Sequence, residues 1–83
     1  MISVLVLGPG CYNCQKIEAM CNEIVKEHGI EAAVEKITDM NQIHALGVMM
    51  TPGVVINGKV VSSGKVPAKS TLEQWILKAS QPA

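Results

Sequence analysis

Apolar and polar positions divide this chain into short segments whose periodicities predict strands and helices in turn. Ile2–Leu7 is short, almost entirely apolar and rich in β-branched residues, which is typical of a strand buried on both faces of a sheet. After a Gly-Pro-Gly turn, apolar residues recur every three or four positions, which predicts a helix from about Cys11 to His28 that stops at Gly29. The apolar side of this helix carries Cys14, Ile17, Cys21, Ile24, Val25 and His28.

The middle of the chain predicts a second strand and a short helix. Glu31–Ile37 has the composition of a strand, and Asp39 is placed to cap the helix that follows. Gly47 is the expected end of that helix, with Ile43 and Leu46 facing inward.

A hairpin and a final helix complete the predicted elements. Gly53–Ile56 and Lys59–Ser62 flank Asn57-Gly58, a pair that favours a type I′ turn between antiparallel strands. Ser70–Glu73 has the pattern of a capping box that opens the last helix. The order β-α-β-α-β-β-α predicts an α/β fold in which the first two strands are parallel and the hairpin adds two antiparallel strands. The apolar stripe of the last helix is Leu72, Trp75, Ile76 and Ala79.

Length and charge narrow the classes of function. With 83 residues, of which 48% are hydrophobic, the chain is predicted to form one domain over residues 1–83. Seven lysines balance seven acidic residues, and only two side chains are aromatic, so we expect no nucleic-acid binding. No apolar run approaches the roughly 20 residues that span a bilayer, and the first strand lacks the features of a signal peptide. We therefore expect a cytoplasmic protein that does not contact membranes.

The three cysteines indicate thiol or metal chemistry. An odd number of cysteines argues against the disulfide framework of a secreted protein, and cytosolic disulfides are usually transient. Two of the three frame the tetrapeptide Cys11-Tyr12-Asn13-Cys14, directly after the first predicted strand and at the start of the first helix. A C-x-x-C pair in a βαβ setting is the thioredoxin-like redox arrangement.

The position of this pair explains its chemistry. Cysteines three positions apart in a first helical turn have Cα atoms about 5–6 Å apart, which allows a disulfide. Unpaired N–H groups and the positive end of the helix dipole favour the thiolate of Cys11. We expect Cys11 to attack a substrate disulfide and Cys14, facing the sheet, to resolve the mixed disulfide. A reductase or a thiol pool would then reduce the protein again.

A zinc site is the main structural alternative for the pair. Such a site needs four ligands, and the remaining candidates are Cys21, His28 and His44. Cys21 lies about 10.5 Å along the helix from Cys14, so one metal ion cannot bind all three thiols. We predict no metal or other cofactor, and we expect Cys21 to pack in the core.

Thr51-Pro52, just before the hairpin, supplies the second element of the candidate site. A cis peptide bond there would leave the backbone of Thr51 available to pair with a substrate chain. Met49 and Met50 adjoin this dipeptide and could form an adaptable docking surface. The residues predicted to bind substrate are Tyr12, Asn13, Met50, Thr51 and Pro52.

Two segments, Gly8–Gln15 (GPGCYNCQ) and Thr51–Gly64 (TPGVVINGKVVSSG), resemble the thioredoxin/glutaredoxin superfamily, and most closely its small bacterial and archaeal redox-active disulfide proteins. The resemblance implies a four-stranded mixed sheet in the order 2-1-3-4, flanked by helices. It makes Cys11 similar to the exposed nucleophile, Cys14 to the buried resolving cysteine and Pro52 to a cis-proline facing the disulfide. The implied partners are protein disulfides as substrates and a flavoprotein disulfide reductase or a thiol pool as electron donor. We expect the protein to be a monomer.

The chain also departs from that superfamily. Thioredoxins have Trp before the first cysteine and Gly-Pro between the two, where this chain has Gly10 and Tyr12-Asn13. They also carry a buried acid on the strand before the motif, and Ile2–Leu7 contains none.

Two other functions use the same cysteine pair. One is a soft-metal chaperone of the Cu(I) type, since thiolates suit soft metals. Such domains usually have Met where Pro9 stands, and their element order lacks the predicted helix between the second and third strands. The other is a redox-sensing partner protein with no substrate turnover.

Overall fold

A computed structural model describes residues 2–10 and 12–80, and it follows the predicted β-α-β-α-β-β-α order. Cys11 and residues 81–83, like residue 1, lie outside the described part. The elements are β1 (Ile2–Leu7), α1 (Tyr12–His28), β2 (Ala32–Ile37), α2 (Met40–Ala45), β3 (Gly53–Ile56), β4 (Lys59–Ser63) and α3 (Lys69–Ser80).

The four strands form one mixed sheet in the order β2-β1-β3-β4, which confirms the predicted topology. β1 is parallel to β2, with Ile2 opposite Ala32 and Leu7 opposite Ile37. β1 is antiparallel to β3, and β3 is antiparallel to β4. The central position of β1 explains its apolar composition, because alternate side chains enter the two layers that cover the sheet.

The hairpin between β3 and β4 turns at Asn57-Gly58, as predicted. Both residues have positive φ angles, 51° and 81°, as a type I′ turn requires. Asn57 also joins the turn to β1, because its N–H donates to the Ser3 carbonyl at 2.8 Å and its Oδ1 accepts from Ser3 N–H at 2.9 Å. The turn therefore fixes the end of the sheet opposite to the cysteine motif.

Two hydrophobic clusters lie on opposite faces of the sheet. The larger cluster contains eleven buried residues and packs α1 and α3 against one face. The smaller cluster contains four and packs α2 and the loop after it against the other. The larger cluster comprises Ile2, Val4, Val6, Cys14, Ile17, Cys21, Ile24, Val54, Ile56, Leu72 and Ile76. The smaller comprises Leu7, Ile43, Val48 and Val55.

Three local predictions were wrong. His28 was placed on the apolar side of α1 but is exposed, and its Nε2 lies 3.0 Å from Oε2 of Glu73. Leu46 was expected to face inward but is 40% exposed, because α2 ends at Ala45 and Leu46 is its C-cap. The last helix begins at Lys69, earlier than the predicted capping box, because the carbonyl of Ala68 already accepts from the N–H groups of Thr71 and Leu72. The predicted cap of α2 is confirmed, since the side chain of Asp39 accepts from Asn41 N–H at 2.8 Å. In the described part of the chain, no helix is long and apolar enough to cross a membrane.

Candidate redox site

Cys14 lies in the first turn of α1 and is completely buried, as the sequence predicted for the resolving cysteine. Its sulfur atom lies against the end of β1, where the missing side chain of Gly8 leaves room for it. A β-carbon on Gly8 would collide with Cys14 Sγ and would lie 3.8 Å from Cβ of Thr51. The structure therefore brings Cys14 and Thr51 to the same place, although they are 37 positions apart in the sequence. The predicted nucleophile, Cys11, lies outside the described residues.

The second element of the site is the loop that leads into β3. The Thr51-Pro52 peptide bond is cis, Pro52 is buried and Thr51 is half-buried. Two hydrogen bonds hold this loop to the end of β4. Gly64 N–H donates to the Pro52 carbonyl at 2.8 Å, and Ser63 Oγ donates to the Met50 carbonyl at 3.2 Å. The site is thus supported by the strand end as well as by α1.

Exposed apolar side chains surround the two elements. Tyr12 is 74% exposed, Met49 76% and Met50 64%, which makes them the most exposed large hydrophobic residues described. Asn13 is exposed beside Tyr12 in the first turn of α1. The side chain of Met50 also covers Gly64, since a β-carbon there would come within 3.1 Å of Met50 Cβ. Each predicted substrate-binding residue therefore lies either in this first turn or in the loop into β3.

Cys21 occupies a different environment from the motif. It is fully buried in the larger cluster, and burial raises the pKa of its thiol to about 11, with a smaller contribution from the negative charge of Glu18. Such a thiol is protonated at neutral pH and is a poor nucleophile. Within residues 2–10 and 12–80, no three side chains of His, Cys, Asp or Glu are grouped as a metal site would require.

Gly8 is the residue that sequence reasoning missed. It was assigned only to a turn, yet its lack of a side chain admits the sulfur of Cys14. No local pattern distinguishes a glycine with this role from a turn glycine, because the contact depends on how α1 packs against β1.

Comparison with known proteins decides the family. The family model described as thioredoxin domain matches residues 2–77, which include the cysteine motif and the Thr51-Pro52 loop. The chain belongs to the thioredoxin family. It is 38% identical over 74 residues to a thioredoxin of Methanothermobacter thermautotrophicus, covering 89% of this chain and 96% of that protein. It is 34% identical over 74 residues to a thioredoxin of Methanocaldococcus jannaschii, covering 89% of this chain and 85% of that protein.

The solved structures agree on the fold of this thioredoxin-family chain. The crystal structure of the germline-specific thioredoxin Deadhead from Drosophila melanogaster matches with a TM-score of 0.68 and 18% identity, covering 93% of this chain and 79% of that one. The family model and the two archaeal relatives confirm the predicted superfamily. At the level of the family, the chain is a thioredoxin-type redox protein with the general role of a thiol–disulfide oxidoreductase acting on protein disulfides. These findings do not favour the soft-metal chaperone.

Proposed function

We propose that this protein reduces protein disulfides through Cys11 and Cys14, with Cys11 as nucleophile and Cys14 as resolving cysteine. The observation that supports this most directly is the position of Cys14. Its sulfur is buried in the first turn of α1, beside Gly8 and the Thr51-Pro52 loop, and so it is shielded from solvent. A shielded second thiol cannot start an exchange with a large substrate, but it can attack a neighbouring sulfur.

The reaction takes place in two exchanges. The thiolate of Cys11 attacks one sulfur of the substrate disulfide, forming a mixed disulfide and releasing the other substrate sulfur as a thiolate that takes a proton from water. Cys14, having lost its proton, then attacks the sulfur of Cys11. The substrate leaves as its second thiolate, so two electrons have moved to the substrate and a Cys11–Cys14 disulfide has formed.

The first turn of α1 favours the thiolate of Cys11, which precedes it in the sequence. This turn contains no acidic side chain, so nothing there opposes the positive end of the helix dipole. Lys16 is exposed one turn further on and adds positive charge on the same helix. The strand before the motif carries no acidic residue, so water or substrate accepts the proton of Cys14.

The substrates we propose are protein segments with apolar side chains next to their disulfide. Tyr12, Met49 and Met50 give the surroundings of the site an apolar and adaptable surface, since thioethers can repack against different partners. We expect the backbone of Thr51 to pair with an extended substrate segment, and Asn13 and Pro52 to complete the contact surface. A flavoprotein disulfide reductase or a thiol pool regenerates the dithiol, and the protein works as a cytoplasmic monomer.

Trapping the mixed disulfide tests the assigned roles. Cys14→Ser should accumulate a covalent complex with a protein disulfide substrate, visible by non-reducing electrophoresis and abolished by reductant. Cys11→Ser should give no complex, because the nucleophile is missing. Cys21→Ser is the matched control and should turn over without trapping. A complex formed by Cys11→Ser instead of Cys14→Ser would reverse the two roles.

A further inference from the structure

Gly8 packs directly against the side chain of Cys14 at the end of β1. A β-carbon placed on Gly8 would meet Cys14 Sγ far inside any possible contact distance, and that atom is by far its nearest neighbour. The next atoms, Cys14 Cβ at 3.5 Å and Thr51 Cβ at 3.8 Å, lie at ordinary van der Waals distances. The sulfur of Cys14 therefore takes the volume that a side chain at position 8 would fill.

The backbones of Gly8 and Cys14 are both held in place by the surrounding structure. Gly8 N–H donates to the Ile37 carbonyl at 2.9 Å, which continues the pairing of β1 with β2 one residue beyond the strand. Cys14 is held by α1 and is fully buried in the larger cluster. Side chains in such a core sit in discrete rotamers. A side chain at position 8 would therefore have to rotate Sγ of Cys14 to a different place.

We infer that Gly8 is a positioning residue for the dithiol. It binds no group itself, but its lack of a side chain keeps open the space from which Cys14 Sγ attacks. This inference rests on the proposed roles of Cys11 and Cys14. Thiol–disulfide exchange requires the attacking sulfur to approach along a defined line, and small displacements of reacting atoms are costly. Gly8→Ala therefore slows the resolving step and shifts the equilibrium constant of the Cys11–Cys14 disulfide.

Backbone freedom is not the reason for glycine at this position. The φ angle of Gly8 lies outside the left-handed region, unlike that of Gly10 at 90°. Alanine is thus compatible with the backbone, and its only severe contact is with one sulfur atom. Removing that sulfur by Cys14→Ala takes away the one severe contact, because the next nearest atoms, Cys14 Cβ and Thr51 Cβ, lie 3.5 and 3.8 Å from a β-carbon at position 8.

A double-mutant cycle isolates this contact without any activity assay. Unfolding by urea under reducing conditions is compared for the parent protein, Gly8→Ala, Cys14→Ala and the double variant. Gly8→Ala should lower the folding equilibrium constant by about tenfold or more when Cys14 is present. With Ala at position 14 the same change should stay within about twofold. An equal loss in both backgrounds would overturn the inference, because the cost would then not come from the sulfur.

Two redox measurements then separate positioning from general loss of stability. Gly8→Ala should slow the resolution of a preformed mixed disulfide on Cys11 by about tenfold to a hundredfold. It should also shift the equilibrium constant with glutathione by about threefold or more. Ile43→Val, which removes one buried methylene in the smaller cluster, is the control that lowers stability without touching the site.

The outcomes distinguish the two proposals. If Gly8→Ala behaves like Ile43→Val in both redox measurements, Gly8 is a packing residue only and the inference is wrong. If the parent protein forms no Cys11–Cys14 disulfide, the proposed function fails, while the unfolding cycle still reports whether the sulfur and position 8 compete.

Discussion

The two faces of the sheet are covered to very different extents, and each supports one half of the redox site. On one face, α1 and α3 enclose the larger cluster, and α1 carries Cys14. On the other face, the six-residue α2 and the loop after it cover the smaller cluster. Val48 anchors that loop, packing close to Gly53 just before the loop reaches β3.

Because the two faces are covered so differently, the Cys14 side of the site is rigid and the Thr51-Pro52 side is adaptable. The dithiol side is embedded in a continuous core, where a displaced atom has nowhere to go. The Thr51-Pro52 loop is held by the four buried residues of the smaller cluster and by two hydrogen bonds to the end of β4. Met49 and Met50 are exposed beside it. Covalent chemistry needs a fixed sulfur, whereas recognition of different protein disulfides benefits from side chains that can repack.

The sharpest comparison truncates one isoleucine on each face. Ile24→Ala should lower the free energy of unfolding by about 4 kcal/mol, because helices and sheet enclose this side chain and the cavity left behind cannot collapse. Ile43→Ala should cost about 2 kcal/mol, because the short α2 can settle into the space. Urea denaturation followed by circular dichroism measures both. Equal losses would show that the two faces are equally rigid.

Raising the pH probes the larger cluster through Cys21. The pKa of this thiol is raised from the ordinary value of 9.0 to about 11, so the folded state favours the protonated form. The resulting stabilisation is complete below pH 9 and is lost as pH rises from about 9 to 11, by about 2–3 kcal/mol. Cys21→Ala should lack this contribution, so its stability curve should approach that of the parent protein over this interval. Parallel curves would contradict the raised pKa.

Truncating the exposed methionines tests the adaptable side. The double variant Met49→Ala, Met50→Ala should raise KM for a protein disulfide about threefold to tenfold, since two apolar contacts with the substrate are lost. The rate with a small-molecule disulfide should be unchanged, because such a substrate is too small to cover the exposed side chains of Met49 and Met50 while it reacts. Met40→Ala, on α2, is the control. An equal loss with both substrates would place the methionines in the chemistry instead of in docking.

Local patterns predicted what depends on neighbours in the sequence. The bounds of β1 and β3, the Asn57-Gly58 turn and the burial of Cys14 all follow from short apolar runs, turn chemistry and helical spacing. What the sequence did not predict depends on packing between distant segments. The fit of Gly8 around a sulfur needs α1 against β1, and the ion pairs of Lys69, the first residue of α3, need α1 as a partner helix. A local capping pattern cannot include that partner.

The contact of α3 with α1 at Lys69 has the smallest expected effect on stability. Lys69 Nζ lies 3.0 Å from Glu23 Oε2 and 3.0 Å from Glu27 Oε1, joining the first turn of α3 to the outer side of α1. Hydrogen bonds to Glu27 and Glu23 raise the pKa of Lys69, so its stabilising contribution persists below the ordinary pKa of lysine and is lost only above it. Lys69→Met should lower stability less than either isoleucine substitution, because all three groups are solvated.

Salt identifies the origin of that small loss. If Lys69 acts through its charge, high ionic strength should remove most of the difference between Lys69→Met and the parent protein. Lys78→Met is the matched control, since Lys78 lies in the last turn of the same helix and has no ion pair among the described residues. A loss at Lys69 that persists in high salt would mean that the methylene chain of this lysine packs the two helices together. The fixed side of the site would then extend to the outer surface of α1 and α3, and the contrast with the loop side would be larger than the buried clusters alone indicate.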